Sequence, residues 1–316
     1  MNDKKVAVLG GGTGMSILLR GLKKLPFDIS AIVSVCDDGS STGRLREEFN
    51  MPAVGDIRKV LASLSNDSKT VDKLLHYRFD TYSDLDGHAL GNLLLIGASD
   101  IAGNMSDGIE LLNKLLHLNG NVIPLTEDNV TLMGVMEDGN IVEGEHHITE
   151  DKRLIKDVKY KETPVVNPDV LKAIRESDAI ILSMGSLFTS IMPNLICKEV
   201  IDEIDKSSAK IIYVCNIMTQ PGETLDFKVS DHVKLLNRYL GKRKVDVVVV
   251  NTGDISRDII ERYATTEQKD TVKADFDKLK ELDVEIIKDN YILIEDGIIR
   301  HNALKVAIDL FSYLME

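Results

Sequence analysis

The chain has 316 residues, of which 43% are hydrophobic, enough for one large α/β domain or two small ones. Its formal net charge of -13 argues against nucleic acid or an anionic membrane as the main partner, because both repel an acidic surface. The three cysteines are far apart without a CxxC pair, which predicts a reduced, cytoplasmic protein without a zinc site. No charged-then-apolar leader opens the chain and no apolar run approaches about 20 residues, so neither export nor a membrane span is expected.

An apolar run at residues 6–9 is followed by a glycine-rich turn at 10–14, which passes directly into an amphipathic stretch. This pattern predicts a strand, a turn and a helix. Glycine lets a ligand approach the backbone closely, and the N–H groups at a helix start suit a phosphate. The dinucleotide fingerprint is incomplete, since Met15 stands where its third glycine belongs, and no Walker-type Gly-Lys-Ser/Thr follows. The alternatives are a nucleotide phosphate site and a tight turn without a ligand.

Apolar, β-branched runs then alternate with helical periods along the chain. The runs lack a clean apolar–polar alternation, as strands buried on both faces do. The predicted strands are residues 6–9, 29–35, 122–125, 179–183, 210–215 and 245–251. The predicted helices are residues 55–64, 70–77, 108–118, 168–175, 198–205 and 230–239. Asn167 and Pro168 fit the N-cap and first position of one of them. The alternation predicts an α/β protein with a parallel, doubly wound sheet.

Residues 130–143 break this rhythm with two alternating runs around Asp138 and Gly139, which predicts a β-hairpin. Residues 143–160 continue with mixed polar residues and a further predicted strand. We therefore expect an inserted β subdomain at about 126–165. Such a subdomain can act as a lid or as an oligomer contact. The alternative is an insertion without a role of its own.

Polar loops follow five of the predicted strands. In an open parallel sheet, ligands bind outside the carboxyl ends of the strands. The loops are rich in Gly, Ser, Thr, Asn or Asp and comprise residues 10–14, 36–44, 184–190, 216–222 and 251–254. One polar loop alone is usually a turn, but five at one edge of the sheet indicate a binding site.

Asp37 and Asp38 are adjacent carboxylates in the second of these loops. One can accept a hydrogen bond from a ribose hydroxyl, or the two can hold Mg²⁺ beside a diphosphate. The alternative is a solvated Asp-Gly turn. Because neighbouring side chains on an extended segment point to opposite sides, we expect only one of them to face a ligand directly.

Histidine and arginine occur in three further motifs. His88 precedes an apolar helix, where it can bind an anion, cap the helix or join the core. His146 and His147 lie in the predicted insertion without a third metal ligand near in sequence, which argues against a metal site. Arg300, in a predicted turn at 294–302 that feeds the final helix, can bind a phosphate or a uracil carbonyl, or form a surface salt bridge.

No catalytic set emerges from the sequence. GxSxG, HExxH and recognisable Ser/His/Asp or Cys/His sets are missing. Ser183 and Ser186 precede and enter a glycine loop, but no base can be assigned to them. Because hydride transfer also lacks an identifiable acid or base, an NAD-dependent oxidoreductase is the least favoured function.

Five segments of the chain resemble the YvcK/CofD-like family, and most closely its YvcK branch, the gluconeogenesis factors. In order, they are GGGTGMSILLRGLK, VCDDGSSTGRLR, MPAVGDIRKVLASLS, GHALGNLLL and MGSLFTSIMPNL, and the resemblance spans nearly the whole chain. It implies a single CofD-like nucleotide-binding domain over residues 1–316. It also implies a Rossmann-like, three-layer α/β/α fold and a homo-oligomer.

The two branches of this family imply different functions. Members of the CofD branch are 2-phospho-L-lactate transferases, which move a phospholactyl group from a GDP-type donor to the deazaflavin Fo with Mg²⁺. The YvcK branch is similar to a sensor of UDP-sugars such as UDP-GlcNAc and supports cell shape and wall synthesis during gluconeogenic growth. The resemblance therefore implies a cytoplasmic UDP-sugar-binding regulator with a partner in cell-wall synthesis and no established reaction. The alternative is a transferase.

The resemblance also implies the site residues, motif by motif. Asp37 and Asp38 match the acidic loop near the metal and acceptor of the transferase branch, which makes them candidates for catalysis and for Mg²⁺ binding. The implied phosphate-binding residues are Gly11, Gly12, Thr13 and Gly14. The implied residues of the other pocket loops and the nucleotide contacts are Asn92, Ser186, Thr189, Asn194, Asn216 and Arg300.

Overall fold

The fold is described from a computed structural model, which describes residues 3–66, 68–295 and 297–316. Its strands, in chain order, are β1 Lys4–Gly10, β2 Phe27–Val33, β3 Asn121–Pro124, β4 Leu132–Met136, β5 Ile141–Glu143, β6 Ile155–Tyr160, β7 Ala179–Leu182, β8 Lys210–Val214, β9 Val247–Asn251, β10 Glu285–Asp289, β11 Ile292–Glu295 and β12 Ile298–His301.

The helices connect these strands and cover the sheet. They are α1 Gly12–Leu22, α2 Ser40–Phe49, α3 Gly55–Leu64, α4 Ser68–His76, α5 Leu90–Ala102, α6 Met105–Leu116, α7 Glu145–Glu150, α8 Pro168–Glu176, α9 Met192–Leu195, α10 Lys198–Lys206, α11 Val229–Tyr239, α12 Arg257–Thr266, α13 Phe276–Glu281 and α14 Ala303–Met315. A π-helical turn, Leu187–Ile191, precedes α9. None of the helices in the described part of the chain is long and apolar enough to cross a membrane.

In the described part of the chain, seven parallel strands form the central sheet, in the order β10-β9-β8-β7-β1-β2-β3. The predicted parallel, doubly wound sheet is therefore confirmed. The order reverses between β1 and β7, so the carboxyl ends of these two strands flank the topological switch point. Ligands bind at this point in folds of this type.

Helices cover both faces of the sheet and make three layers. Along β1, Val6 and Val8 join a core with α1, α3, α5 and α14, while Ala7 and Leu9 join a second core with α8, α10 and α11. A strand buried on both faces needs an apolar residue at every position. This requirement explains why the sheet strands lack alternation in the sequence.

All six predicted strands occur in the sheet, but its seventh strand, β10, escapes prediction. β10 is an edge strand, and its sequence mixes Ile286 and Ile287 with charged residues. An edge strand is partly exposed and needs no continuous apolar run, so its pattern is weak. The predicted N-cap is confirmed, because the Asn167 side chain accepts a hydrogen bond from the Asp169 N–H at 2.9 Å.

The predicted β-hairpin is confirmed within a separate antiparallel sheet of order β5-β4-β6. The hairpin turns at Asp138 and Gly139, and β6 is the further strand expected in this region. The short helix α7 is new, and its buried Ile148 packs against Gly134 of β4. The subdomain limits of 126–165, and one domain over residues 1–316, stay predictions.

The predicted turn at residues 294–302 needs correction. These residues belong largely to an antiparallel hairpin of β11 and β12, which precedes α14. Gly297 has a φ of +73°, which glycine adopts without strain. Asp296 lies outside the described residues. The hairpin pairs Leu293 with Arg300 and therefore fixes where Arg300 lies.

Candidate functional site

A cavity of about 400 Å³ opens at the carboxyl ends of β1, β7 and β8, beside the topological switch point. Residues of α7 and β12 complete its walls. Three of the five predicted loops, 10–14, 184–190 and 216–222, contribute residues to this cavity. None of the described residues of loops 36–44 and 251–254 lines it. The cavity brings together these predicted site residues: Gly11, Thr13, Gly14, Ser186, Thr189, Asn216 and Arg300.

The glycine turn places the start of α1 at the cavity. No side chain that the structure describes caps α1, so the N–H groups of its first turn lack a side-chain partner among the described residues. Gly12 has a φ of +64°, and a Cβ on Gly14 would lie 1.6 Å from the Met184 carbonyl oxygen. These glycines thus permit the turn and its close packing on the loop after β7. The exposed Thr13 lies between them at the cavity wall.

The loop after β7 is held by a network of polar side chains. The Ser186 hydroxyl donates to Glu223 Oε2 at 2.5 Å and accepts from the Thr189 N–H and hydroxyl at 3.0 and 2.9 Å. Burial raises the pKa of Glu223. Asn216 Nδ2 donates to the Gly185 carbonyl at 2.8 Å. The side chains of Ser186 and Asn216 therefore already fix the shape of this loop.

Asn92 and Asn194 lie outside the lining of this cavity. Asn194 is fully buried, and its Nδ2 donates to the Ser190 carbonyl at 3.0 Å. Asn92 Nδ2 donates to Ser41 Oγ at 3.4 Å, and that oxygen is 2.9 Å from His88 Nδ1. His88 is thus a buried residue of a polar cluster, and burial lowers its pKa. Both asparagine Oδ1 atoms are buried without a hydrogen-bond partner in the described structure.

The carboxylates of Asp37 and Asp38 contact different elements of the fold. Asp38 Oδ1 accepts from the His146 N–H at 2.8 Å, at the start of α7. Asp37 Oδ1 accepts from the Gly39 N–H at 3.0 Å, and its Oδ2 lies 2.6 Å from the place where a Cβ on Gly55 would be. Each carboxylate thus lies at the beginning of a helix, α7 or α3, where negative charge is favoured.

Two carboxylates that the sequence did not reveal lie close to the glycine turn. A Cβ on Gly11 would lie 2.8 Å from Asp56 Oδ2, and Asp56 accepts from Lys59 at 2.9 Å. Glu145, from α7, lines the cavity. Burial raises the pKa of Asp56, and it raises that of Glu145 to about 7 with help from the charges of Asp37 and Asp56.

The sequence features that could have identified Asp56 and Glu145 differ. Asp56 follows a glycine at a helix start, inside the third family-like segment, and this position could have identified it. Glu145 belongs to the short helix α7, which no periodicity predicts. Among the described side chains, no group of three or more His, Cys, Asp or Glu is arranged to hold a metal ion.

Two basic side chains, Lys269 and Arg300, occur in the described lining of the cavity. Lys269 pairs with Glu267 at 2.7 Å, whereas Arg300 forms no ion pair with any residue that the structure describes. Beside it, His301 Nε2 is 3.0 Å from the Cys215 carbonyl, and burial lowers the pKa of His301 to about 4. The neutral imidazole therefore donates to that carbonyl and fastens β12 to the end of β8.

Comparisons with known proteins agree over most of the chain. The family model for 2-phospho-L-lactate transferase CofD matches residues 6–292. The gluconeogenesis factor of Bacillus subtilis (strain 168) is 44% identical over 313 residues, which cover 99% of this chain and 98% of that protein. The putative gluconeogenesis factor of Thermotoga maritima is 45% identical over 277 residues, or 87% of each chain. A crystal structure of a upf0052 family member from Bacillus halodurans is 41% identical, with a TM-score of 0.93, and covers 99% of this chain and 100% of that chain.

Proposed function

The chain belongs to the CofD family, in its gluconeogenesis-factor branch, and from this premise we propose that it is a regulator that binds a nucleotide sugar of the UDP-GlcNAc type. It acts in the cytoplasm and supports cell shape and wall synthesis during gluconeogenic growth. The observation that carries this proposal is the cavity at the switch point, which joins a glycine turn to an arginine without an ion pair among the described residues.

The diphosphate of the ligand lies at the start of α1 in this proposal. The unpaired N–H groups and the dipole of α1 favour an anion there. Gly11, Gly12 and Gly14 let the phosphate approach the backbone, and the Thr13 hydroxyl donates to it. Arg300 faces the same cavity and can bind two phosphate oxygens at once.

The nucleoside and the sugar occupy the part of the cavity lined by the loops after β7 and β8. Thr189 and Asn216 line this part directly, together with Ser186. Asn194 supports the π-helical turn from behind, and Asn92 supports the start of α2 through Ser41. We assign these two asparagines a role in holding the loops around the ligand.

The inserted sheet supports the regulatory part of the proposal. Glu145 and Thr149 of α7 form one wall of the cavity, which supports a link between ligand binding and the position of the insertion. We propose that residues 126–165 act as a lid or an oligomer contact in a homo-oligomer. Through this surface the protein would report the ligand to a partner in cell-wall synthesis.

A transferase that moves a phospholactyl group from a GDP-type donor to the deazaflavin Fo is the alternative. The CofD family match supports it, as do the carboxylates beside the glycine turn. Mg²⁺ would neutralise the diphosphate, and Asp37 and Asp38 would be its ligands, with Asp56 near the same turn. One oxygen of each of these carboxylates already accepts a hydrogen bond, from Gly39, His146 and Lys59 respectively. An aromatic content of 5% disfavours a flat acceptor.

Replacing the hydroxyl at the phosphate turn tests the proposal. We expect Thr13→Val to weaken UDP-GlcNAc binding by about 1.5–3 kcal/mol, because a hydrogen bond to a charged group is lost. Isothermal titration calorimetry measures the difference. Thr163→Val is the matched control, since Thr163 is exposed and lies outside the cavity lining. The proposal is wrong if the wild-type protein does not bind UDP-GlcNAc in the millimolar range.

A further inference from the structure

The turn after β8 carries a polar atom without a partner. Gln220 lines the cavity, and its Oε1 is buried with no hydrogen-bond partner in the described structure. An unpaired buried acceptor destabilises the folded protein, and nearly all such atoms in native proteins are paired. Because Gln220 lines the cavity, the partner that its carboxamide lacks can come from a ligand bound there.

Backbone hydrogen bonds fix the position of Gln220. Its N–H donates to Thr224 Oγ1 at 2.9 Å, and its carbonyl accepts from the N–H groups of Glu223 and Thr224 at 3.2 and 2.9 Å. The carboxylate of Glu223 in turn accepts from the Ser186 hydroxyl. The turn is therefore closed on itself and fastened to the loop after β7.

The insertion braces the same turn from another side. The Ile155 N–H donates to the Gly222 carbonyl at 2.9 Å. Gly222 has a φ of +77°, and a Cβ there would lie 2.6 Å from the Asp151 carbonyl oxygen. Because the backbone is held in this way before a ligand binds, little ordering is left to oppose binding.

We propose that the Gln220 carboxamide recognises a ligand group in which an N–H lies beside a C=O. A carboxamide has an acceptor and donors side by side, so it can pair with such a group through two hydrogen bonds. The inference rests on the proposed function, whose ligand carries such a group in its uracil ring, where the N3–H lies between two carbonyls. The acetamido group of the sugar does not qualify, because the N–H and C=O of a trans amide point in opposite directions. Gln220 is then a specificity-determining residue, and Glu223 is a positioning residue for its turn.

Gln220→Leu tests this inference because it removes the carboxamide and keeps most of the side-chain volume. Without ligand, we expect a Tm equal to or above that of the wild type, since an unpaired buried atom is removed. With ligand, we expect an affinity loss of about 5- to 100-fold. Titration calorimetry with UDP, UDP-glucose and UDP-GlcNAc tests this pairing. Equal losses for all three are expected, because all three carry uracil, whereas a loss for UDP-GlcNAc alone would overturn the pairing with uracil.

Gln268→Leu is the matched control, because it makes the same substitution at the other glutamine of the chain, whose side chain is exposed. We expect it to keep every affinity within about twofold of the wild type. If Gln220→Leu does not fold, Gln220→Ala takes its place.

Unchanged affinities in the Gln220 variant would overturn the inference and leave the proposed function intact. If the wild type binds no uridine ligand, the proposed function fails. GDP then provides the same comparison, since guanine also carries an N–H beside a C=O. A wild type that binds none of these ligands would overturn both.

Discussion

At the residue scale, Glu145 links the stability of the protein to pH. Burial and the nearby charges of Asp37 and Asp56 raise its pKa from 4.5 to about 7. The folded protein therefore binds more protons than the unfolded chain between these two values. In this window the contribution of Glu145 to the free energy of unfolding falls as the pH rises.

We expect Glu145→Gln to remove this contribution, so that the free energy of unfolding falls less, or rises more, between pH 4.5 and pH 8 than in the wild type, because the amide has no proton to lose. Urea unfolding between pH 4.5 and pH 8, with EDTA present, measures the effect for both proteins. At pH 8 the variant should be the more stable of the two. Glu137→Gln, at an exposed position of the insertion, should keep the slope of the wild type. An unchanged slope in Glu145→Gln would contradict the structural account.

Site residues can be predicted from sequence where a local motif marks them. Thr13 stands inside a glycine turn between a strand and a helix, and the cavity includes it. The contact of Asp38 with His146 joins residues 108 positions apart, and no local pattern indicates it. Asn92 and Asn194 are polar residues in motifs, yet the fold buries them away from the cavity lining. Which face of an element a polar residue occupies is decided by packing.

At the element scale, the contact between α1 and the loop after β7 holds the two halves of the switch point together. A Cβ on Gly14 would lie 1.6 Å from the Met184 carbonyl oxygen, which is backbone and cannot turn aside. We expect Gly14→Ala to destabilise the protein by about 3 kcal/mol or more. It should also weaken ligand binding, since α1 carries the phosphate site.

Gly97→Ala is the matched control for this prediction. Gly97 lies within α5, and a Cβ there would meet no atom within 4 Å. Alanine should stabilise the protein by about 0.5–1 kcal/mol, because glycine is the poorer helix former. Chemical denaturation measures both variants. Equal effects of the two substitutions would refute the close contact at Gly14.

Deeply buried strands and helices are easier to predict from the sequence than exposed or short ones. The strands β1, β2, β7 and β8 are apolar runs because both of their faces are covered. β10 escapes because it is a partly exposed edge, and α7 because six residues are too few to show a helical period. In the sequence, the hairpin of β11 and β12 resembles a turn, because strands of four residues are too short to show a clear apolar pattern.

At the scale of the whole molecule, the order of the strands creates the site. Alternation of strands and helices predicts the parallel sheet, but only the folded chain shows that the order reverses between β1 and β7. This reversal brings the glycine turn beside the loop that contains Ser186. Arg300 comes from a hairpin near the other end of the chain, so the site uses residues from almost the entire sequence.

The most direct test of the central claim is calorimetric titration of the wild type and Arg300→Ala with UDP-GlcNAc and with GDP, each with Mg²⁺ and with EDTA. We predict that UDP-GlcNAc binds the wild type without Mg²⁺. Arg300→Ala should weaken this binding about tenfold or more, because a charged partner of the diphosphate is lost. Binding of GDP alone, and only with Mg²⁺, would contradict the regulator and favour the transferase.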